Sequence, residues 1–508
     1  MDKEKQIGCA LISVYHKDNL DEILTRLHQL GVSLISTGGT ADFIESLSLP
    51  VQRVELLTGY PSILGGRVKT LHPKIFGGIL ARRDNESDRE SLESWDIPEI
   101  DLVIVDLYPF EQTVASGAPL PEIIEKIDIG GISLIRAAAK NFEDVLIVPS
   151  REYYPKLINL LEEKNGATAL SDRYEFAVAA FAVSSGYDSS ISNYLGGEHP
   201  LHFRKAAGPG HTLRYGENPH QKGIFYGNLD QVFEQIHGKE ISYNNLLDID
   251  AAVSLIDEFD EMTFGILKHN NACGIASTGS LTEAWKKALA ADPVSAFGGI
   301  LIANNPIDGA TAEEINSLFF EIIIAPGYAE QALTVLKQKK NRIILIRKPV
   351  RSTTTVQFRS LLNGVLVQDR DLRKEVPEDM KVVTQAHPTP KEIEDLLFAN
   401  KLVKHTRSNA IVLVKDKQLL ASGTGQTSRV DALKQAIAKA QSFGFDLKGS
   451  VMASDAFFPF ADSVEIAHQA GVGSVIQPGG SVRDQDTIDY CNIHGLSMVF
   501  TGIRHFKH

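Results

Sequence analysis

Short apolar runs and helix-patterned segments alternate through roughly the first 150 residues, and this alternation restricts the fold more than any other feature. "IGCALISV", "VSLIST", "DLVIVDLYPF" and "VLIVPS" read as strands, while "NLDEILTRLHQLG", "ADFIESL" and "ISLIRAAAKN" read as helices. Strands separated by helices predict a parallel sheet covered on both faces. Two further helical stretches follow, "REYYPKLINLLEEKN" and "RYEFAVAAFAVSSGYDSSISNYLGG". A domain boundary is expected at Gly196–Gly197, where Gly, Pro and His cluster.

The remainder, 197–508, again mixes strands and helices and carries a faint duplication. "FGILKHNNACGIA…LTEAWKKALAADPVSAFGG" and "AIVLVKDKQLLASGTG…VDALKQAIAKA…MASDAFFPF" share one plan: strand, Gly loop, Ala-rich helix, Phe-containing turn. Two related subdomains, divided near residue 370, are the expectation.

A chain of 508 residues exceeds one hydrophobic core. A net charge of −13 argues against a general nucleic-acid binder, since a phosphate backbone calls for a basic footprint. The three cysteines, Cys9, Cys273 and Cys491, are too sparse for a disulfide scaffold and fit a reducing compartment. The start "MDKEKQIGCALISVY" lacks the pattern of a signal peptide, and no run approaches the ~18 apolar residues of a membrane span. A cytoplasmic protein without membrane partners is expected.

Several segments carry side chains suited to chemistry. "LISTGGTADF" puts Ser36, Thr37, Gly38, Gly39 and Thr40 between a strand and a helix, either as an anion-binding turn or as a Thr-capped one. "LGGRVKTLHPKIFGGIL" crowds Arg67, Lys69, Thr70, His72 and Lys74 between Gly pairs, which suits a phosphate or carboxamide ligand. Tyr108 follows a buried strand, where ligands of open parallel sheets sit. Asp128 precedes a Gly turn into a helix that carries Arg136 and Lys140. "TLRYGENPHQ" is dense in donors, among them Arg214, Tyr215, Asn218, His220 and Gln221.

"TFGILKHNNACGIA" ends an apolar run on Lys268 and His269. Burying an ammonium beside an imidazole is costly, so the pair calls for a chemical reason. Zinc is disfavoured: Cys273 is four residues beyond His269, but no C-x-x-C exists, and Asn270–Asn271 stand where an acidic residue would be wanted. A Schiff-base lysine stays open. So does metal-free proton transfer, with His269 as base or relay and Lys268 stabilising an oxyanion. "MASDAFFPFADSVE" sets aromatic residues beside Asp455 and Pro459, a candidate slot for a flat ring. The chain ends "GIRHFKH", a tail short enough to tuck into a site.

Taken in order, "GGRVKTLHP", "IDIGG", "RAAAKN", "RYGENPHQ", "KHNNACG", "SAFGG", "SDAFFPF" and "QPGGSVRD" resemble the bifunctional AICAR transformylase/IMP cyclohydrolase family of purine biosynthesis along essentially the whole chain. The resemblance implies an α/β architecture: a methylglyoxal-synthase-like cyclohydrolase domain over 1–196 and a transformylase over 197–508 built from two cytidine-deaminase-like subdomains without zinc. It implies AICAR, FAICAR, IMP and folate as small-molecule ligands, 10-formyl-tetrahydrofolate as cosubstrate, no transition metal, and a homodimer. Residue by residue, Lys268 and His269 match the family's catalytic pair. Arg214, Tyr215, Gly298, Glu321, Asn409, Phe457 and Arg504 match AICAR contacts, and Phe297, Pro459 and Phe460 match the folate side. Lys69, Tyr108, Asp128 and Lys140 match the cyclohydrolase catalytic group; Ser13, Lys17, Ser36–Thr40, Arg67 and Thr70 match its nucleotide pocket. The chain departs from the usual pattern at Tyr15 and His16 (for Ser-Asp), Asp106 (for Asn), Ala272 (for Pro) and Ser463 (for Asn). The Ala272 departure is expected to loosen the loop after His269. A non-enzymatic nucleotide sensor and a zinc-free deaminase relic are the competing readings.

Overall fold

The computed structural model describes residues 4–197, 201–349 and 355–508, so His199 and Pro200 of the expected boundary lie outside it. The chain forms two compact units, Met1–Ala207 and Gly208–His508. The division falls beyond Gly196–Gly197, and Arg204 is tied to the last helix of the first unit, where Asn193 Nδ2 donates to Arg204 O (3.0 Å).

The first unit is built on β1 (Cys9–Val14), β2 (Ser33–Ser36), β3 (Gln52–Arg53), β4 (Leu102–Asp106) and β5 (Leu146–Val148), all parallel, in the order β3-β2-β1-β4-β5. Along β1, Ala10 and Ile12 face one core with the helix α1 (Leu20–Gln29), while Leu11 faces the other with α4 (Gly130–Lys140). Burial on both faces is why these strands read as continuous apolar runs. The helices α2 (Gly38–Ser46) and α3 (Pro73–Leu80) follow the turns that carry the Ser36–Thr40 and Arg67–Lys74 motifs. The strand order reverses between β1 and β4, which opens a crevice at their carboxyl ends.

The second unit is a twelve-stranded sheet whose halves repeat one topology. In the first half, α7 (Tyr243–Ile256) precedes the hairpin β6 (Thr263–Lys268) and β7 (Asn271–Ser277), and α8 (Leu281–Ala291) follows. Then come β8 (Ile300–Ala303), α9 (Gly309–Ile315), β9 (Ile322–Ala325), α10 (Glu330–Leu336) and β10 (Ile343–Arg347). A two-stranded arm, β11 (Val356–Leu361) and β12 (Gly364–Asp369), stands between the halves. The second half repeats the order as α11 (Pro390–His405), β13 (Ile411–Lys415), β14 (Gln418–Gly423), α12 (Arg429–Ser442), β15 (Ser450–Ser454), α13 (Asp462–Gln469), β16 (Val472–Gln477), α14 (Asp484–His494) and β17 (Ser497–Phe500). Strand pairing agrees element by element: β8 is antiparallel to β6 and parallel to β9, as β15 is to β13 and β16. The halves join edge to edge through β7 and β14, and α7 and α11 cover one core common to both. The opposite face is two separate cores, one per half.

The repetition reaches single residues. Adding 147 to a position in the first hairpin gives its counterpart. The register shift at Ile266/Leu267 recurs at Leu413/Val414, and the turn His269–Asn270 recurs at Asp416–Lys417. Both turns hold two consecutive residues at positive φ, 51° and 64° in the first and 55° and 51° in the second. That backbone is the two-residue hairpin turn whose twist matches its flanking strands. Asn, Asp and His are among the non-Gly residues that reach positive φ most readily.

Candidate active sites

A cavity of about 640 Å³ opens in the first unit where the strand order reverses. Ser13 and Lys17 reach it from the end of β1, Thr37, Gly39 and Thr40 from the start of α2, and Tyr108 from beyond β4. Arg67, Lys69, Thr70 and Asp128 complete its wall. Lys17 Nζ donates to Val14 O and Tyr15 O, each at 2.8 Å; burial lowers its pKa, and the nearby Lys69 adds to that. Arg67 pairs with Glu125 at the rim. The Asp128 carboxylate accepts the Gly131 N–H (2.6 Å) at the head of α4, and burial raises its pKa above the ordinary carboxylate value. Burial also raises Tyr108, with the Asp128 charge second.

Three residues from the sequence reading stand elsewhere. Ser36 is fully buried and its hydroxyl donates to Ile12 O (2.7 Å), tying β2 to β1. Gly38 is outside the lining, although a Cβ there would meet Lys69 Nζ at 2.8 Å. Lys140 is exposed at the last residue of α4, ten residues after Gly130. At 1.5 Å per residue that is about 15 Å from the end facing the cavity. The Thr40 hydroxyl, for its part, is spent on β1: it donates to Val14 O (3.0 Å) and accepts from Val14 N–H (3.3 Å).

Sequence reasoning missed several participants. Tyr187 Oη accepts the Asp128 N–H (2.8 Å) and donates to Lys126 O (2.6 Å), pinning the Asp128 loop from the long helix α6 (Leu170–Gly196), about 60 residues on in sequence. Lys126 Nζ stands 5.2 Å from the Tyr15 ring and 5.9 Å from Tyr108. The departures from the family pattern prove to be neighbours: His16 Nδ1 is 2.7 Å from Asp106 Oδ2, and the Tyr15 and Tyr108 rings meet edge to face at 5.5 Å.

In the second unit, β6 is buried through Leu267, and Lys268 is its first partly exposed residue. Lys268 Nζ donates to Phe297 O (2.8 Å), which brings the pair beside Phe297 and Gly298. Gly298 takes a φ of 75° and its N–H donates to Phe319 O (2.8 Å); the Phe297 and Phe319 rings are 5.1 Å apart. Glu321, at the head of β9, accepts from Lys239 Nζ (2.9 Å). The helix α7 connects these parts. Asn244 Nδ2 reaches Glu217 O in the loop carrying Arg214 and Tyr215, and Asp248 Oδ1 accepts the Asn270 N–H (2.6 Å). The loop after His269 is therefore anchored, and Ala272 pairs with Leu267 in the sheet, contrary to the loosening expected from the missing Pro. Arg214 stacks on Tyr215 (4.6 Å) within its own exposed loop.

A second cluster gathers at the corresponding end of the other half. Asn409 Nδ2 donates to Gln426 O (3.0 Å), and the next residue's N–H reaches the fully buried Asp455 (3.2 Å). Arg429 pairs with Asp455 (3.2 Å) and stands with Arg504 over the Phe506 ring. Phe457, Pro459 and Phe460 are exposed beyond β15, and Arg483 lies 5.0 Å from the Phe460 ring. Asn271 Oδ1, accepting the Arg407 N–H (3.2 Å), links this cluster to the Lys268–His269 hairpin. The chain's last residues do not fray: His505 is buried between Asp371 and Glu375. Among the described residues no group of three or more His, Cys, Asp or Glu side chains is arranged to hold a metal ion, and no helix is long and apolar enough to cross a membrane.

Comparison with known proteins bears on this geometry directly. The AICARFT/IMPCHase bienzyme family matches residues 138–439, and an MGS-like domain matches 19–133. The chain belongs to the AICARFT/IMPCHase bienzyme family. It is 66% identical to the bifunctional purine biosynthesis protein PurH of Bacteroides thetaiotaomicron over the full length of both. It is 48% identical to PurH of Aquifex aeolicus, covering 98% of this chain and 100% of that protein, and 47% identical to PurH of Persephonella marina, covering 98% and 99%. Members of this family are bifunctional purine-biosynthesis enzymes, with AICAR formyltransferase and IMP cyclohydrolase activities, and the formyl transfer is folate-dependent.

Proposed function

We propose that the second unit transfers the formyl group, with Lys268 and His269 as its reacting pair, and that the cavity of the first unit closes the ring to IMP. The observation that carries the reading is the hairpin turn. It sets a lysine and a histidine side by side at the end of a buried strand, and the Phe297 carbonyl holds the lysine.

The donor is 10-formyl-tetrahydrofolate. The AICAR amine is a weak nucleophile because its lone pair is delocalised into the imidazole and opposed by the carboxamide. Its nitrogen bonds to the formyl carbon while His269 accepts the amine proton, directly or through the carboxamide. The C–N10 bond of the tetrahedral intermediate then breaks, N10 takes up a proton, and tetrahydrofolate leaves with FAICAR formed. The Lys268 ammonium stabilises the oxyanion, a contribution of ~3–4 kcal/mol per donor, and proton transfer adds ~10²–10⁴-fold. Arg214, Tyr215, Gly298, Glu321, Asn409, Phe457 and Arg504 hold the nucleotide, and Phe297, Pro459 and Phe460 receive the folate.

Ring closure is intramolecular. The carboxamide nitrogen bonds to the formyl carbon, and water is lost. Holding the two groups together accounts for ~7–11 kcal/mol of the barrier. Lys69 stabilises the developing alkoxide, and Asp128 and Tyr108 manage protons, Lys140 standing too far along its helix to share in this. A carboxyl raised by burial suits that work, taking up a proton more readily than an ordinary carboxylate. Ser13, Lys17, Arg67, Thr70 and the turn residues Thr37, Gly39 and Thr40, the last through its backbone, bind the nucleotide.

The enzyme acts as a homodimer in the cytoplasm. The dimer is supported by the β11–β12 arm, in which every residue is exposed and Phe358, Leu361, Leu366 and Val367 present apolar surface. The compartment is supported by three unpaired cysteines. Separate assays test the division of labour. Lys268→Ala and His269→Ala are expected to abolish formyl transfer while supplied FAICAR still cyclises; Lys69→Ala and Asp128→Asn are expected to do the reverse. Loss of both activities in either pair refutes two independent sites.

A further inference from the structure

The duplicated hairpin offers a comparison built into the molecule. In the second half, the turn Asp416–Lys417 is held by Asp395 of α11, whose two carboxylate oxygens accept the two turn amides, Asp416 N–H at 2.9 Å and Lys417 N–H at 2.7 Å. The counterpart of Asp395 is Asp248 of α7, 147 positions earlier. Asp248 accepts the Asn270 N–H through Oδ1 at 2.6 Å. One aspartate thus holds each turn, through two amides in the second half and through the Asn270 amide alone in the first, and the turns differ too in what they carry: Asp416 in the second half, His269 in the first.

We infer that Asp248 is a positioning residue for formyl transfer, its carboxylate fixing the backbone of the His269 turn through the Asn270 N–H. The inference rests on His269 being the proton acceptor. Holding a non-Gly residue at a φ of 51° needs support from the surroundings, and the Asn270 N–H to Asp248 bond supplies it. The carboxylate interacts with the His269 charge and is opposed by Glu321, which is itself paired with Lys239 (2.9 Å) and approached by Asn245 Nδ2 (3.5 Å). Asp248 is partly buried, and desolvation raises its pKa, so its charge is felt with less screening than at the surface. His269, Glu321 and Lys239 are the ionisable groups that bear on it from the turn, the head of β9 and the segment before α7.

The test uses the full chain with Asp248→Asn, Asp395→Asn and His269→Ala, measuring formyl transfer against pH and ring closure of FAICAR alongside. Asp248→Asn keeps an oxygen for the Asn270 N–H and removes the charge. Its expected effect is a fall in kcat of about 10-fold, short of the ~10²–10⁴ of losing the base outright. KM for AICAR stays near wild type, because the charge-assisted bond positions the turn rather than the substrate. Asp395→Asn disturbs the matching turn in the half without the histidine, so it is expected to lower stability and leave kcat in place. A wild-type kcat in Asp248→Asn, or the same fall in Asp395→Asn, overturns the inference. His269→Ala separates the two layers. If it stays active, the proton-acceptor reading fails; if it is dead while Asp248→Asn behaves as wild type, only the role of Asp248 fails.

Discussion

His505 gives the prediction with the clearest magnitude. Its ring is 2% exposed, with Nδ1 2.6 Å from Asp371 Oδ2 and Nε2 3.1 Å from Glu375 Oε1. A neutral imidazole has one N–H and one lone pair, so one nitrogen would point electrons at a carboxylate; only the imidazolium satisfies both. The two hydrogen bonds to carboxylates outweigh burial and raise its pKa from 6.5 to about 9. At about 1.4 kcal/mol per unit, that is about 3 kcal/mol of stability. Asp371 is 43% exposed and so partly screened by solvent, which trims the figure to ~2–3 kcal/mol. A cation whose folded pKa is raised contributes fully below its unfolded value, near 6.5, and loses that contribution as pH climbs through about 9. The assay is urea unfolding of wild type and His505→Gln from pH 6 to 10, followed by tryptophan fluorescence. Trp285 is buried in the second unit, whereas Trp95 of the first is 72% exposed, so the signal reports mainly the unit that holds His505. The gap between the two proteins is expected to be ~2–3 kcal/mol near pH 6.5 and to close above pH 9. A gap that stays constant across that window refutes the imidazolium clamp.

Two other outcomes follow from packing. A Cβ at Gly274 would stand 1.9 Å from Ala288 O in the helix that crosses its strand, so Gly274→Ala is expected to destabilise the second unit by more than ~3 kcal/mol, read as a fall in the urea midpoint. If the proposed homodimer forms through the exposed arm, Phe358→Asp shifts it to monomer in light scattering and lowers formyl transfer while sparing ring closure; an unchanged mass removes the arm from the interface.

The alternation of apolar runs and helix patterns marked four of the five parallel strands of the first unit, because a strand buried on both faces leaves a local mark in the sequence: β1, β2, β4 and β5 all fall inside the runs that predict them, whereas the two-residue β3 left none. The duplication was legible for the same reason, since each half had to encode its own strand, turn and Ala-rich helix. The Lys268–His269 pair declared itself by breaking an apolar run. Strand order left no such mark. Only the reversal between β1 and β4 brings Ser13, Tyr108 and Asp128 to one cavity, and only the straight rise of α4 carries Lys140 away from it. Nor does a carboxylate announce its partner: Asp248 under the His269 turn, Tyr187 behind Asp128 and the two acids around His505 are ordinary polar residues until folding closes the loops between them. Periodicity is a property of neighbours in sequence and can be read there, whereas contact across a hundred residues depends on which faces of which elements bury each other, and that the tertiary structure alone decided.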